Sequence, residues 1–410
     1  MAPDLGVRVV VDVRPLQEPD QAPVTAAYLG RLLRAFVASP VAGESFVLVL
    51  RPDLPDPDAQ IAGLPVAGRR LIPPTRFLKT AAQTVDPFLI RGATIGTGWL
   101  ARRSGAAGRI YHAAGTIPPL GSRAPVVATL LDLAAWELPA AFQRTPSARF
   151  GARLRAQLLR ESTVVMCGTH AVASRAARRL RVPPERLRVV PLAARDAFVP
   201  AAGIGAGARA ERVRLGLPDR YLVYPARHDA RHDLPTLLAA LGSLAGRSRP
   251  ARLDPGGGWP PRILVVDASP DDRAALARAS LRSGLGDVFA YAPSLPADRL
   301  ATLVAGARAA LAPRVSEAAG LAVIEALACG VPVVASAVGA LPEIVGTAGV
   351  LVPPRAPDRL AAALEAIWSD DEFHATVAGD SLRRARGPRR SWADVAAATR
   401  AVYAEAVAPG

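Results

Sequence analysis

Residues 313 to 354 read PRVSEAAGLAVIEALACGVPVVASAVGALPEIVGTAGVLVPP. A strand ends near Pro313, a small-residue loop follows, and a helix starts at about Gly320 and runs to Ala328. Val331 to Ser336 and Gly349 to Val352 are two further strands. Short apolar runs separated by helix-length segments pack as a parallel sheet covered by helices on both faces. The expected fold class is therefore α/β.

The same alternation extends in both directions. Towards the C-terminal side of the chain's middle, strands are predicted at Tyr221 to Pro225, Arg262 to Asp267, Val288 to Tyr291 and Ala309 to Ala312. Helices are predicted at Leu234 to Leu244, Pro270 to Ser283 and Pro296 to Ala307, with a last one at Trp392 to Val407 after an Arg-rich turn, Arg383 to Arg390. In the N-terminal half, strands are predicted at Val7 to Val13, Phe46 to Leu50, Arg109 to His112, Val126 to Leu130, Thr163 to Cys167 and Leu187 to Val190. Helices lie at Ala27 to Ala38, Ser147 to Glu161 and Ala171 to Leu180, and a Pro-rich stretch covers Arg51 to Pro74. Between the halves, Ala193 to Ala210 loses periodicity and is rich in small residues, which marks a domain boundary. The expected division is 1–195, a flexible linker 196–210, a second domain 211–385, and a terminal helix 386–410. Two wound domains of this kind would enclose a cleft at the carboxyl ends of their sheets, where ligands bind.

Composition narrows the class. With 410 residues, 50% hydrophobic and 21% charged, the chain can bury full cores, so disorder and collagen-like structure are excluded. No apolar run is long enough for a spanning helix, and no secretory signal is visible at the start. Cys167 and Cys329 sit in apolar contexts and read as buried, reduced thiols of a cytoplasmic protein. The net charge of +15 would ordinarily suggest nucleic acid, but among the 50 basic residues only Lys79 is a lysine. That imbalance reads as coding bias, and the arginines are spread along helices without interleaved aromatics, so no nucleic-acid partner is expected. The basic helices would suit peripheral association with an anionic inner membrane surface.

The chemistry concentrates in the opening stretch. Free backbone N–H groups at the start of the helix near Gly320 make a ready anion site. Glu317 lies in the preceding loop and Glu325 on the helix, and neither has a metal-ligand partner nearby in sequence. A carboxylate facing a cleft accepts two hydroxyl hydrogen bonds from a sugar or a ribose.

This stretch resembles the donor-binding motif of glycosyltransferase family 4, the retaining, metal-independent "group 1" enzymes of GT-B fold. The likeness rests on the Glu317/Glu325 spacing, on Ala328-Cys329-Gly330-Val331-Pro332-Val333-Val334-Ala335-Ser336, and on Leu341-Pro342-Glu343-Ile344-Val345 followed by Gly349 to Val352. It implies a GT-B architecture of two Rossmann-like domains with a C-terminal helix crossing back to the first. Glu325 would bind the donor's ribose. Glu317, with the backbone of Ala318, Ala319, Gly320 and Leu321, would face the donor sugar and its phosphates. In Tyr221 to Leu238 (YLVYPARHDARHDLPTLL), Arg227 matches the arginine that grips the diphosphate, and His232 stands in the place of the family's lysine. A protonated His232 would make donor affinity fall as pH rises through about 6.5.

The family's His-Asp-Leu triplet is here Leu131-Asp132-Leu133, which leaves Asp132 and the strand-end His112 as candidate acceptor-side residues. What the resemblance implies is a retaining glycosyltransferase using a GDP- or UDP-linked sugar, mannose among the candidates, on a carbohydrate or lipid-linked acceptor in cell-envelope polysaccharide synthesis. No cofactor and no metal are expected, because the nucleotide sugar is the substrate and no carboxylate or histidine cluster has ligand spacing. Leu131 and His232 keep an alternative open, a weak or inactive homologue that binds a nucleotide sugar or a protein partner.

Overall fold

The computed structural model describes residues 7–73, 109–200, 206–217, 219–253 and 258–408. They form two compact units. The first comprises Met1–Leu192 with Trp392–Gly410, the second Ala193–Ser391.

The first unit holds a parallel sheet of order β3-β2-β1-β4-β5-β6-β7. Its strands are β1 (Arg8–Asp12), β2 (Ser45–Leu50), β3 (Val66–Leu71), β4 (Arg109–Ala114), β5 (Val126–Leu130), β6 (Val164–Cys167) and β7 (Leu187–Val189). In β1, β2, β4, β5 and β6 nearly every residue is buried, as a sheet covered on both faces requires. Only β3 was not anticipated. Its VAGRRL sequence carries glycine and two arginines, and its alternating exposure marks an edge strand. Helix Trp392–Val407 belongs to this unit. Arg400 on it makes a bidentate pair with Glu44 (3.0 and 2.8 Å), both buried, and Trp392 meets Tyr28 edge to face at 6.0 Å.

The second unit holds a parallel sheet of order β10-β9-β8-β11-β12-β13. These strands are β8 (Leu222–Pro225), β9 (Ile263–Val266), β10 (Phe289–Tyr291), β11 (Ala309–Ala312), β12 (Val333–Ser336) and β13 (Gly349–Val352). Helices Leu234–Ala245 and Pro357–Ser369 cover one face through Leu237, Leu241, Leu244, Leu364, Ile367 and Trp368, all fully buried. Winding reverses between the adjacent central strands β8 and β11, the switch point at which such sheets bind ligands.

Two sequence expectations are corrected. Residues 206–210, assigned to a flexible linker, open helix Ala206–Arg214; Glu211 in that helix pairs with Arg214 at 2.7 Å and with Arg299 at 2.8 Å, which anchors it. Residues 201–205 of that segment lie outside the described residues. The Arg-rich turn from Arg383 begins inside a helix, Asp371–Arg386, whose Asp370 side chain accepts from Phe373 N at 2.9 Å as a cap. Arginine and alanine are good helix formers, and their basic charge suits the last turn.

Candidate donor site

Two loops leave the switch point side by side. After β8 the chain runs through Arg227 to Asp233, and after β11 through Pro313 to Gly320. They are stitched together by Asp233 N donating to the Pro313 carbonyl (3.0 Å) and Val315 N to the Arg231 carbonyl (2.9 Å), an antiparallel bridge that pairs His232 with Arg314. Residues paired this way project from the same face of the ribbon.

Glu317 folds back over the helix start. Its Oε1 accepts from the backbone N–H groups of Ala318, Ala319 and Gly320 at 3.1, 3.1 and 3.0 Å. Helix Leu321–Ala328 begins at once, capped by Gly320 in the left-handed region with φ 63°. A side chain at Gly320 would place its Cβ 2.3 Å from Ile344 Cδ1. The side chains of Ala318, Ala319 and Leu321 are buried, so what this turn offers a ligand is its backbone. Gly339 supports it from below. The Glu317 carbonyl accepts from Ala340 N at 3.0 Å, and a Cβ on Gly339 would lie 1.7 Å from that carbonyl oxygen.

One helix turn further in, Glu325 is 4% exposed. Arg195 donates from Nε to its Oε1 (2.7 Å) and from the guanidinium end to Oε2 (3.0 Å), while stacking 4.5 Å over the Phe198 ring. The carboxylate assigned to a ribose is thus charge-paired.

Arg227 is partly exposed, its nearest carboxylate being Asp272 at 3.7 Å. His232 departs from expectation. Its ring is buried, and burial together with the charge of Arg314 pushes its pKa down to about 3 despite the nearby Asp229 carboxylate. Its Nδ1–H donates to Asp229 Oδ1 (3.1 Å), which leaves a lone pair, not a proton, on Nε2. Burial works to raise the Asp229 carboxyl, but the bonds from His232 and from Arg231 (3.1 and 2.7 Å) hold it well below the usual carboxylate range. At neutral pH His232 therefore brings no positive charge and does not supply the expected fall of affinity through pH 6.5.

His112 is likewise corrected. It is 1% exposed, with Nε2 against Thr129 Oγ1 at 2.8 Å and Nδ1 against the Tyr403 hydroxyl at 2.7 Å, and burial lowers its pKa to about 3. It ties the C-terminal helix to β4 and β5 and is not available to an acceptor. A strand in a doubly covered sheet has no solvent face, so a strand-end histidine gives no periodic signal of where it points. Asp132 is partly exposed and caps the next turn, its Oδ1 accepting from Ala134 N at 2.8 Å.

The residue that sequence reasoning passed over is Arg314. It is 8% exposed, its guanidinium donates to the Pro225 carbonyl at 3.1 Å, and its Nε is buried without a hydrogen-bond partner, 3.8 Å from Glu317 Oε2. The signal was a cation directly after a central strand, hidden by an arginine-rich composition. Among the described residues, no three His, Cys, Asp or Glu side chains converge to hold a metal. A cavity of about 900 Å3 adjoins the site, its wall including His228, His232, Asp233 and Arg355.

Residues 220–370 match the family described as "Glycosyl transferases group 1". A D-inositol 3-phosphate glycosyltransferase from Streptomyces bingchenggensis is 31% identical over 262 residues, 61% of this chain and 54% of that relative. The match thus spans about half the relative's length. Among solved structures, sucrose-phosphate synthase from Thermosynechococcus elongatus superposes with a TM-score of 0.68 at 20% identity, covering 97% of this chain and 98% of the other. Anabaena Alr3699/HepE in complex with UDP and glucose gives 0.67 at 15% identity, covering 97% and 99%. These likenesses show the fold, that of two Rossmann-like units known as GT-B.

Proposed function

From a chain whose residues 220–370 belong to the group 1 glycosyltransferases, we propose that the protein transfers a sugar from a nucleotide diphosphate donor to an acceptor hydroxyl with retention of configuration and without a metal ion. The observation that carries the reading is one turn of chain. Glu317, three converging backbone N–H groups and Glu325 occupy a single loop and helix start beside the β8–β11 switch point. In this reading Glu325 accepts the ribose hydroxyls, and the N–H groups of Ala318 to Gly320 take a phosphate. Glu317, released from them, accepts hydroxyls of the donor sugar.

Arg227 and the positive end of helix Leu321–Ala328 stabilise the charge that develops on the departing diphosphate. The bond from the sugar C1 to the diphosphate oxygen breaks as the acceptor oxygen bonds to C1 on the same face. The acceptor's proton passes to the leaving phosphate oxygen, so no protein base is required. The nucleotide donor is supported by the Anabaena relative, whose structure contains UDP and glucose. The acceptor in this proposal is a carbohydrate or lipid-linked hydroxyl. Two buried free thiols, Cys167 and Cys329, suit the reducing cytoplasm, where basic helices would favour an anionic membrane surface.

A panel of UDP- and GDP-sugars tests the reading through release of nucleoside diphosphate. Turnover with at least one donor is expected. Measurable binding with no turnover for any donor or acceptor would overturn the enzymatic reading in favour of a binding homologue.

A further inference from the structure

Glu317 is an anion already seated in the anion site. One carboxylate oxygen takes three backbone N–H groups, and the other lies 3.8 Å from the unpartnered Nε of Arg314. A buried guanidinium N–H without an acceptor is costly and leaves a donor that a ligand oxygen can take. Arg314 is well fixed for that purpose. Its backbone N–H donates to Ser336 Oγ at 2.9 Å, its guanidinium is anchored on the Pro225 carbonyl, and its partner across the bridge is His232. It therefore stands at the carboxyl ends of β8, β11 and β12 together.

We propose that Arg314 supplies the second cationic contact to the donor's diphosphate, the role that sequence spacing assigns to His232. The proposal rests on the nucleotide-sugar reading above. When the donor enters, a phosphate oxygen pair replaces the Glu317 carboxylate: one oxygen takes the three N–H groups and a neighbouring oxygen takes the Arg314 guanidinium. Glu317 swings towards the sugar. Two arginines, Arg227 and Arg314, then flank the diphosphate, and arginine's fixed fork suits phosphate better than a neutral imidazole whose outward nitrogen is an acceptor. The groups that face His232 are Asp229, Arg231 and Arg314, with Asp233 adjacent in the chain. Their sum gives the imidazole no reason to charge at neutral pH.

The test is calorimetric binding of UDP, GDP and the corresponding nucleosides to the full chain and its variants. Arg314→Gln is expected to weaken the nucleoside diphosphate by about 10- to 100-fold, the worth of one charged hydrogen-bond set, and to leave nucleoside binding unchanged. Arg314→Lys should recover most of that loss, and His232→Gln should stay within about threefold. Should Arg314→Gln fail to fold, the pH profiles of wild type and His232→Gln still decide: parallel profiles from about pH 6 to about pH 8 are expected, whereas a fall centred near 6.5 in the wild type that His232→Gln abolishes would return the role to His232 and overturn the proposal. Wild-type affinity for diphosphates matched by a folded Arg314→Gln would overturn Arg314's role alone. A wild-type chain that binds neither UDP nor GDP would overturn the donor reading, and this assignment with it.

Discussion

Arg195 holds both carboxylate oxygens of Glu325, at 2.7 and 3.0 Å, so the residue assigned to the ribose is neutralised before any ligand arrives. The pair lies in one unit, and Glu325 is the more buried partner, 5% of its side chain being exposed against 24% for Arg195. In the proposed reading, ribose hydroxyls and this bidentate guanidinium compete for the same carboxylate.

Removing the competitor has two separable effects. Arg195→Ala takes the bidentate guanidinium from a buried carboxylate and is expected to cost about 1–3 kcal/mol of stability, below the range for fully buried pairs because Arg195 is partly solvated. The same variant is expected to tighten nucleoside binding several-fold, about 1 kcal/mol. Thermal melts and nucleoside titration check both. Weaker nucleoside binding would make Arg195 an orienting partner of Glu325 instead.

Gly339 is expected to tolerate no side chain. Its φ of +57° disfavours any L-residue, and a Cβ would sit 1.7 Å from the Glu317 carbonyl oxygen. Gly339→Ala should cost about 3 kcal/mol or more and displace the loop that carries Glu317. Chemical denaturation with a parallel UDP titration checks it; a variant with wild-type stability and affinity would contradict the packing described.

The buried histidines predict acid sensitivity. His112 and His232 have folded-state pKa values lowered to about 3, and His374 is shifted in the same direction by burial. In the unfolded chain each takes up a proton near pH 6.5, whereas the folded chain does not, so the unfolded state binds more protons on acidification. The contribution of His112 and His232 is full above about 6.5 and is lost as pH falls from 6.5 towards 3, at about 1.4 kcal/mol per pH unit for each of the two, and His374 adds in the same direction. Urea midpoints between about pH 6.5 and about pH 5 should fall accordingly. His112→Gln should flatten the dependence by about one histidine; an unchanged slope would mean that His112 protonates in the folded state.

Much of this architecture was legible because parallel strands buried on both faces are unbroken apolar runs. VRVVVDV, FVLVL and VPVVAS each became a strand close to the predicted bounds. Strand β3 escaped because an edge strand tolerates glycine and arginine, and its VAGRRL sequence is no apolar run. The motif carboxylates were picked out by spacing; in the fold Glu317 lies in the loop before helix Leu321–Ala328 and Glu325 one turn into it. Their present partners were not legible. Whether Glu317 turns onto its own backbone, or Arg195 reaches Glu325 from 130 residues away, depends on tertiary packing that no local pattern encodes. Burial decided the histidines: the same residue type that sequence reading treats as a switch near pH 6.5 becomes a fixed neutral group once desolvated.

The proposed division of labour between the two glutamates can be measured directly. Calorimetric titration of free UDP or GDP, and of the matching nucleotide sugar, should be run on Glu325→Ala and Glu317→Ala. Glu325→Ala is expected to weaken the free nucleotide and the sugar donor alike, by about tenfold or more, the worth of a carboxylate accepting two hydroxyl bonds. Glu317→Ala should weaken the sugar donor while leaving the free nucleotide bound as tightly or more tightly, since the phosphate no longer displaces a carboxylate. Equal losses for the free nucleotide in both variants, or none in either, would contradict it.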